Sequence, residues 1–136
     1  MEVEYIAAIS DAEDWFKTGR AAADVKAYNS ALYSLEMAVE IAIKAVLLKL
    51  KIDVPKEHNI LRLIESFKEE KTLSQNFIKN TLMIEDTFKA LLEFRNISGY
   101  RFQYGVSKEL LKQRYIKYEE PALRVVELCK KEVSAR

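Results

Sequence analysis

The chain has 136 residues, and we expect them to form one domain, residues 1–136, around a single hydrophobic core. Hydrophobic residues make up 49% and charged residues 32%, with only 3 glycines and 2 prolines, so collagenous and disordered classes are excluded and a turn-rich β fold is disfavoured. Lys and Arg number 22 against 21 Asp and Glu, and this net charge of +1 argues against constitutive, non-specific nucleic-acid binding.

The first half of the chain predicts two long helices. Apolar residues at mostly helical spacing favour a helix over residues 3–23, in which Gly19 is either an interior glycine or a helix end. A stronger pattern runs from Tyr28 to about Leu50, where apolar residues recur every three or four positions. Because its other flanks are also apolar, we expect this second helix to lie in the middle of the domain.

Three polar side chains stand out on the second helix and in the loop after it. Glu40 precedes Lys44 by one helical turn, which predicts an ion pair along the helix. His58 follows a proline-containing loop and precedes a short third helix, where it either caps the helix, fills a polar niche or acts as a catalytic base. Since His58 is the only histidine and Cys129 the only cysteine, we predict no metal site, no cofactor and no intrachain disulfide.

The second half predicts two further helices. A fourth helix begins after residues 72–75, carries Phe77, Phe88 and Leu91 on one stripe, and ends near Gly99. Ser107 is a good N-cap for a fifth helix that reaches the end of the chain. The resulting fold class is all-α, an up-and-down antiparallel bundle of four to five helices.

Arg95 occupies an unusual position in the fourth helix. At 100° per residue it falls within about 20° of Phe88, near the centre of the apolar stripe, where a core residue is expected. The charge also changes here, because residues 1–94 carry 12 basic and 16 acidic side chains whereas residues 95–136 carry 10 basic and 5 acidic. The C-terminal third is therefore able to face a phosphate, although a solvated helix surface has the same composition.

Residues 95–104 bring together side chains suited to a phosphate-bearing ligand. Arg95 and Arg101 are candidates to clamp a phosphate, Asn96 to bind a base or sugar, and Tyr100 or Tyr104 to stack on a base. In the alternative interpretation, Arg95 is neutralised by helix-end carbonyls and a carboxylate such as Glu40 or Glu93, and the aromatic residues close the core.

Three segments, in this order and separation, resemble the HEPN domain (higher eukaryote and prokaryote nucleotide-binding) family. They are residues 31–45 (ALYSLEMAVEIAIKA), residues 55–60 (PKEHNI) and Arg95-Asn96. The resemblance implies a helical bundle that commonly dimerises. Many members are metal-independent ribonucleases, often toxins encoded beside a nucleotidyltransferase-type antitoxin.

The resemblance also implies a catalytic set, Arg95, Asn96 and Tyr100. Active relatives have Arg, a polar residue, three variable residues and then His, and Tyr100 takes the place of that histidine here. A tyrosine with a pKa of ~10, against ~6.5 for histidine, is deprotonated roughly three thousandfold less often at working pH. We therefore expect phosphate or RNA binding to be kept and nuclease activity to be weakened or lost.

The leading hypothesis is a dimeric nucleotide- or RNA-binding module that acts with a nucleotidyltransferase partner. In some members of the family that this chain resembles, such a partner modifies a tyrosine shortly after the histidine; Phe102 stands at that position here, and Tyr104, two residues later, is a separate candidate acceptor. One alternative is an active metal-independent endoribonuclease that uses Arg95 and Tyr100, and another is a helical interaction scaffold in which Arg95 is fully buried and internally paired. The start of the chain lacks a signal peptide's basic region, and apolar runs such as residues 45–48 fall far short of the ~20 residues of a bilayer span. We accordingly expect a cytoplasmic protein with no membrane contact.

Overall fold

The computed structural model describes residues 3–99, 102 and 105–135, and six α-helices make up most of these residues. They are α1 (Glu4–Asp24), α2 (Tyr28–Lys49), α3 (Leu61–Glu65), α4 (Gln75–Lys79), α5 (Thr81–Gly99) and α6 (Lys108–Ser134), with a 3-10 turn at Ser66–Glu69. Helices and turns are the only regular structure in this part of the chain, so the predicted all-α fold is confirmed. None of its helices is long and apolar enough to span a bilayer.

The long helices alternate in direction. α1 and α6 are antiparallel, because Glu13 pairs with Lys130 at 3.1 Å and Arg20, further along α1, pairs with Glu119, earlier in α6, at 3.8 Å. Lys49 at the end of α2 donates to the carbonyls of residues 132, 133 and 135, so the C-terminal ends of α2 and α6 lie together.

α1 and α2 are joined by only three residues and are antiparallel. Arg95 near the end of α5 contacts Tyr33 in the first turns of α2, and Ser74 before α4 contacts Glu132 at the opposite end. α5 is therefore antiparallel to α2, and the four long helices form the predicted up-and-down bundle.

Helix α2 lies at the centre, packed against α1, α5 and α6. Its apolar residues point to several sides, and ten of them are at most 1% exposed: Ala31, Leu32, Leu35, Ala38, Val39, Ala42, Ile43, Ala45, Val46 and Leu47. A helix that is apolar around most of its circumference must be covered on most of its sides. The predicted central position of this helix is confirmed.

Gly19 is an interior residue of α1, and the helix continues unbroken to Asp24. A Cβ atom at Gly19 would lie 3.3 Å from the backbone oxygen of Ala31 and 3.3 Å from Cβ of Ser34. The absence of a side chain therefore lets α1 approach the first turns of α2 closely.

The predicted fourth helix is wrong in one respect, because it is divided into α4 and α5 at Asn80. Asn80 has φ of −101° and ψ of 4°, and its side-chain amide donates to the carbonyl of Asn76 at 2.7 Å. Short polar side chains that bind nearby backbone groups compete with helical hydrogen bonds in this way. The predicted N-cap of the last helix is confirmed, since Ser107 Oγ accepts from the Leu110 amide at 3.1 Å.

Candidate functional site

A group of polar side chains lies where α5 packs against α2 and the loop after α2 returns to it. We call it the Arg95 cluster, and its members are Tyr33, Glu36, Glu40, Lys44, His58 and Arg95. Four of them come from successive turns of α2, because residues three or four apart share one helix face. α5 contributes Arg95, and the loop contributes His58.

Side chains of α2 contact the Arg95 guanidinium. Its NH1 donates to Glu36 Oε2 at 2.9 Å and to Glu40 Oε1 at 3.4 Å, and its NH2 donates to the Tyr33 hydroxyl at 3.1 Å. The guanidinium carbon also lies 4.8 Å from the centre of the Tyr33 ring. The positive charge of Arg95 is thus paired within the chain, as the scaffold alternative requires. The Arg95 side chain is 14% exposed, however, so it is not fully buried.

Glu36 is fully buried, and its pKa is raised to about 9. Burial is the main cause, followed by a hydrogen bond to Glu40 and the charge of Glu40, while Arg95 and Lys44 lower the pKa in part. Glu36 Oε1 receives no hydrogen bond from the described residues, and Oε2 accepts from Arg95. Burial and the raised pKa together favour the neutral form of Glu36.

Glu40 connects the other members of the cluster. Its carboxylate accepts from Lys44 Nζ at 3.0 Å, which confirms the predicted ion pair, and its Oε1 lies 3.0 Å from His58 Nδ1. Lys44 Nζ also donates to the carbonyl of Glu57 at 2.7 Å, which ties the loop to α2. His58 therefore fills a polar niche, while the neighbouring Asn59 accepts from the Leu61 amide at the start of α3.

The cluster places two basic side chains beside one carboxylate. With Glu36 neutral, Arg95 and Lys44 supply two positive charges against the single negative charge of Glu40. A positive group of this kind, partly shielded from water, favours the binding of an anion. In the described ranges, no three His, Cys, Asp or Glu side chains are grouped so as to hold a metal ion.

The other predicted site residues are not described well enough to be placed. Asn96 follows Arg95 in α5, but its side chain lies outside the described part of the structure. Tyr100, Arg101 and Tyr104 also lie outside the described residues. Their roles as catalytic, clamping or stacking groups stay predictions.

Sequence reasoning missed Tyr33 and Glu36 as partners of Arg95. A signal was available, because Glu36 and Glu40 are two carboxylates one turn apart in the most apolar helix of the chain. A carboxylate at a buried position must be neutralised or paired. Arg95, which the sequence also placed in the core, could therefore have been predicted to contact both carboxyl groups.

Comparison with known proteins gives one family. The HEPN domain family model matches residues 6–131, a range that includes the whole of the Arg95 cluster. A comparison with curated proteins gives no match.

Proposed function

The chain belongs to the HEPN domain family, and we propose that it is a nucleotide- or RNA-binding module that binds a phosphate at the Arg95 cluster. The observation that carries this proposal is that two basic side chains, Arg95 and Lys44, converge on the single carboxylate of Glu40 at 3.4 and 3.0 Å. Burial raises the pKa of Glu36, which favours its neutral form and leaves the positive charge in excess. If both glutamates were ionised, the two pairs of charges would cancel and leave no attraction for an anion.

Arg95 is also prepared in advance for phosphate binding. Tyr33 stacks under its guanidinium and Glu36 holds NH1, so little rotational freedom remains to be lost when a ligand binds. A guanidinium has five N–H donors in a planar fork, and the contacts with described residues use its two terminal nitrogens. NH1 is committed to the two glutamates and NH2 donates one proton to Tyr33, so we propose that the remaining NH2 proton and Nε–H donate to phosphate oxygens.

The proposal includes a weakened nuclease and a dimer. Tyr100 in place of the motif histidine supports weak cleavage, because a tyrosine is a poor base near neutral pH. We propose that two copies bring their Arg95 clusters to a shared cleft and that the dimer acts with a nucleotidyltransferase, with Tyr104 as the modified residue. Light scattering that reports a monomer at micromolar concentration would contradict the dimer, and a Tyr104 left unmodified by a cognate transferase and ATP would contradict the modification.

The first prediction concerns phosphate recognition. Arg95→Lys keeps the charge but loses the planar fork, and we expect it to weaken binding of a labelled single-stranded RNA by at least about tenfold. Fluorescence anisotropy at fixed ionic strength measures this. The matched control is Arg124→Lys, which makes the same change at an exposed position of α6 and should bind within about twofold of the unmodified protein.

An interaction scaffold is the second candidate, and the internal pairing of Arg95 favours it. In a scaffold, the Arg95 cluster would serve only to stabilise the fold. This second hypothesis therefore predicts no measurable affinity for RNA or nucleotides in the unmodified protein, in Arg95→Lys or in Arg124→Lys. If the unmodified protein, Arg95→Lys and Arg124→Lys all bound RNA with the same affinity, RNA would bind at a site other than the Arg95 cluster.

A further inference from the structure

We propose that His58, oriented by Glu40, is the proton acceptor for RNA cleavage at the Arg95 cluster. This proposal rests on the proposed function, because it requires that RNA binds there. It assigns the weak cleavage activity to a histidine in the loop after α2. Tyr100, which takes the place of the motif histidine, would then not be the base. The inference comes from the contact of His58 with the same carboxylate that binds Arg95.

The geometry brings a base close to a phosphate-binding group. His58 Nδ1 lies 3.0 Å from Glu40 Oε1, and Arg95 NH1 lies 3.4 Å from the same oxygen. Because both nitrogens contact the same oxygen, the distance between them cannot exceed the sum of these two distances. A phosphodiester held by Arg95 can then extend its ribose to the exposed side of the imidazole, where a base must act.

Glu40 fixes the form of the imidazole. A carboxylate accepts a hydrogen bond, so the Glu40 contact keeps the proton on Nδ1 and leaves the lone pair on Nε2 as the basic site. Serine proteases orient their catalytic histidine in the same way, with a buried carboxylate on the nitrogen that does not react. Glu40 is itself only 2% exposed and is bound by Lys44 and Arg95, so it is a rigid support.

His58 is also accessible to a substrate. Its side chain is 48% exposed, whereas Glu40 behind it is buried. An exposed contact of this kind adds little to the stability of the fold. The arrangement, with one nitrogen on a buried carboxylate and half of the side chain exposed, suits a group that exchanges protons with a bound molecule.

The step that this arrangement supports is an internal transesterification. His58 Nε2 takes the proton from a ribose 2′-hydroxyl, the 2′-oxygen forms a bond to the adjacent phosphorus, and the bond from phosphorus to the 5′-oxygen breaks. The leaving 5′-oxygen takes a proton from water or from the imidazolium. The products are a 2′,3′-cyclic phosphate and a 5′-hydroxyl, and Arg95 stabilises the negative charge on the phosphoryl oxygens.

The experiment measures cleavage of a labelled single-stranded RNA in the presence of a chelator. We expect slow cleavage by the unmodified protein and a loss of roughly 10² to 10⁴ in rate for His58→Gln, with RNA affinity kept. Lys56→Gln, an exposed change in the same loop, is the matched control and should stay within about twofold. Circular dichroism and RNA anisotropy establish that each variant is folded.

The pH profile separates a proton acceptor from a structural residue. The rate should rise with pH in the unmodified protein, as general-base catalysis requires, and this rise should be absent in His58→Gln. The charged groups around the imidazole are Glu40 and Lys44 of α2 and Arg95 of α5, and none is replaced in that variant. A changed rate with an unchanged profile would overturn the assignment.

Failure of this inference can be told from failure of the proposed function. RNA binding without any cleavage by the unmodified protein would overturn the role of His58 and leave the binding module intact. Cleavage that survives in His58→Gln but is lost in Tyr100→Phe would assign the base to Tyr100 instead. Absence of RNA binding in the unmodified protein would overturn both proposals.

Discussion

Replacing Arg95 by alanine should lower the free energy of unfolding by roughly 1–3 kcal/mol, because buried carboxyl groups lose a hydrogen-bond donor. The change leaves two carboxyl groups, on Glu36 and Glu40, buried without the guanidinium that contacts both. It also removes the group that stacks on Tyr33. Urea unfolding followed by circular dichroism at pH 7 measures the difference.

Arg124→Ala is the control for this stability measurement. It removes the same side chain from an exposed position of α6 and should change the free energy of unfolding by less than about 0.5 kcal/mol. If Arg95→Ala were as stable as the control, the contacts of Arg95 with Glu36 and Glu40 would not hold α5 to α2. Because Arg95→Ala is expected to be unstable, RNA affinity is better judged with Arg95→Lys.

Replacing Glu36 by glutamine should make the protein progressively more stable than the unmodified chain as the pH rises. Burial raises the pKa of Glu36 to about 9 in the folded state, against 4.5 for a free glutamate, so the folded state binds more protons between these values. Its contribution to stability is therefore complete below pH 4.5 and is lost as the pH rises through about 9. Glutamine does not titrate, and it can donate to Glu40 and accept from Arg95 at any pH.

The size of this effect follows from the difference in pKa. Over the window from pH 5 to 9, the difference in unfolding free energy between Glu36→Gln and the unmodified protein should grow by several kcal/mol, on the order of 1 kcal/mol per pH unit. Urea unfolding at each pH gives the two curves. Glu65→Gln, at an exposed position of α3, should give a curve parallel to that of the unmodified protein, and parallel curves for Glu36→Gln would show that Glu36 is ionised in the folded state.

Periodicity in the sequence predicted most of the fold. The apolar spacing located α1, α2 and α6 to within a residue or two, because each helix buries a continuous face and that face repeats along the chain. The break at Asn80 was not predictable in this way, since the apolar stripe continues through it. It depends on a contact of one amide side chain with its own backbone and on Ser74, which caps α4 and donates to Glu132 of α6 at 2.6 Å.

The candidate site was predictable only in part. The rotation of 100° per residue placed Arg95 among core positions, and the spacing of Glu40 and Lys44 predicted their ion pair. The contact of His58 with Glu40 was not predictable, because it depends on how the loop after α2 folds back along the helix. The neutral state of Glu36 depends on the burial that α1, α5 and α6 together give α2, which no pattern along a single helix contains.

The central claim, that the Arg95 guanidinium binds a phosphodiester, is tested most directly by its own signal in nuclear magnetic resonance. The protein would be labelled with ¹⁵N, and the side-chain N–H resonances of the arginines would be followed while a single-stranded RNA dinucleotide is added, with Arg95→Lys identifying the Arg95 signal. We predict that the Arg95 resonance shifts to saturation with the same dissociation constant as RNA binding, while that of Arg124 stays in place. Saturable RNA binding with an unmoved Arg95 resonance would contradict the claim.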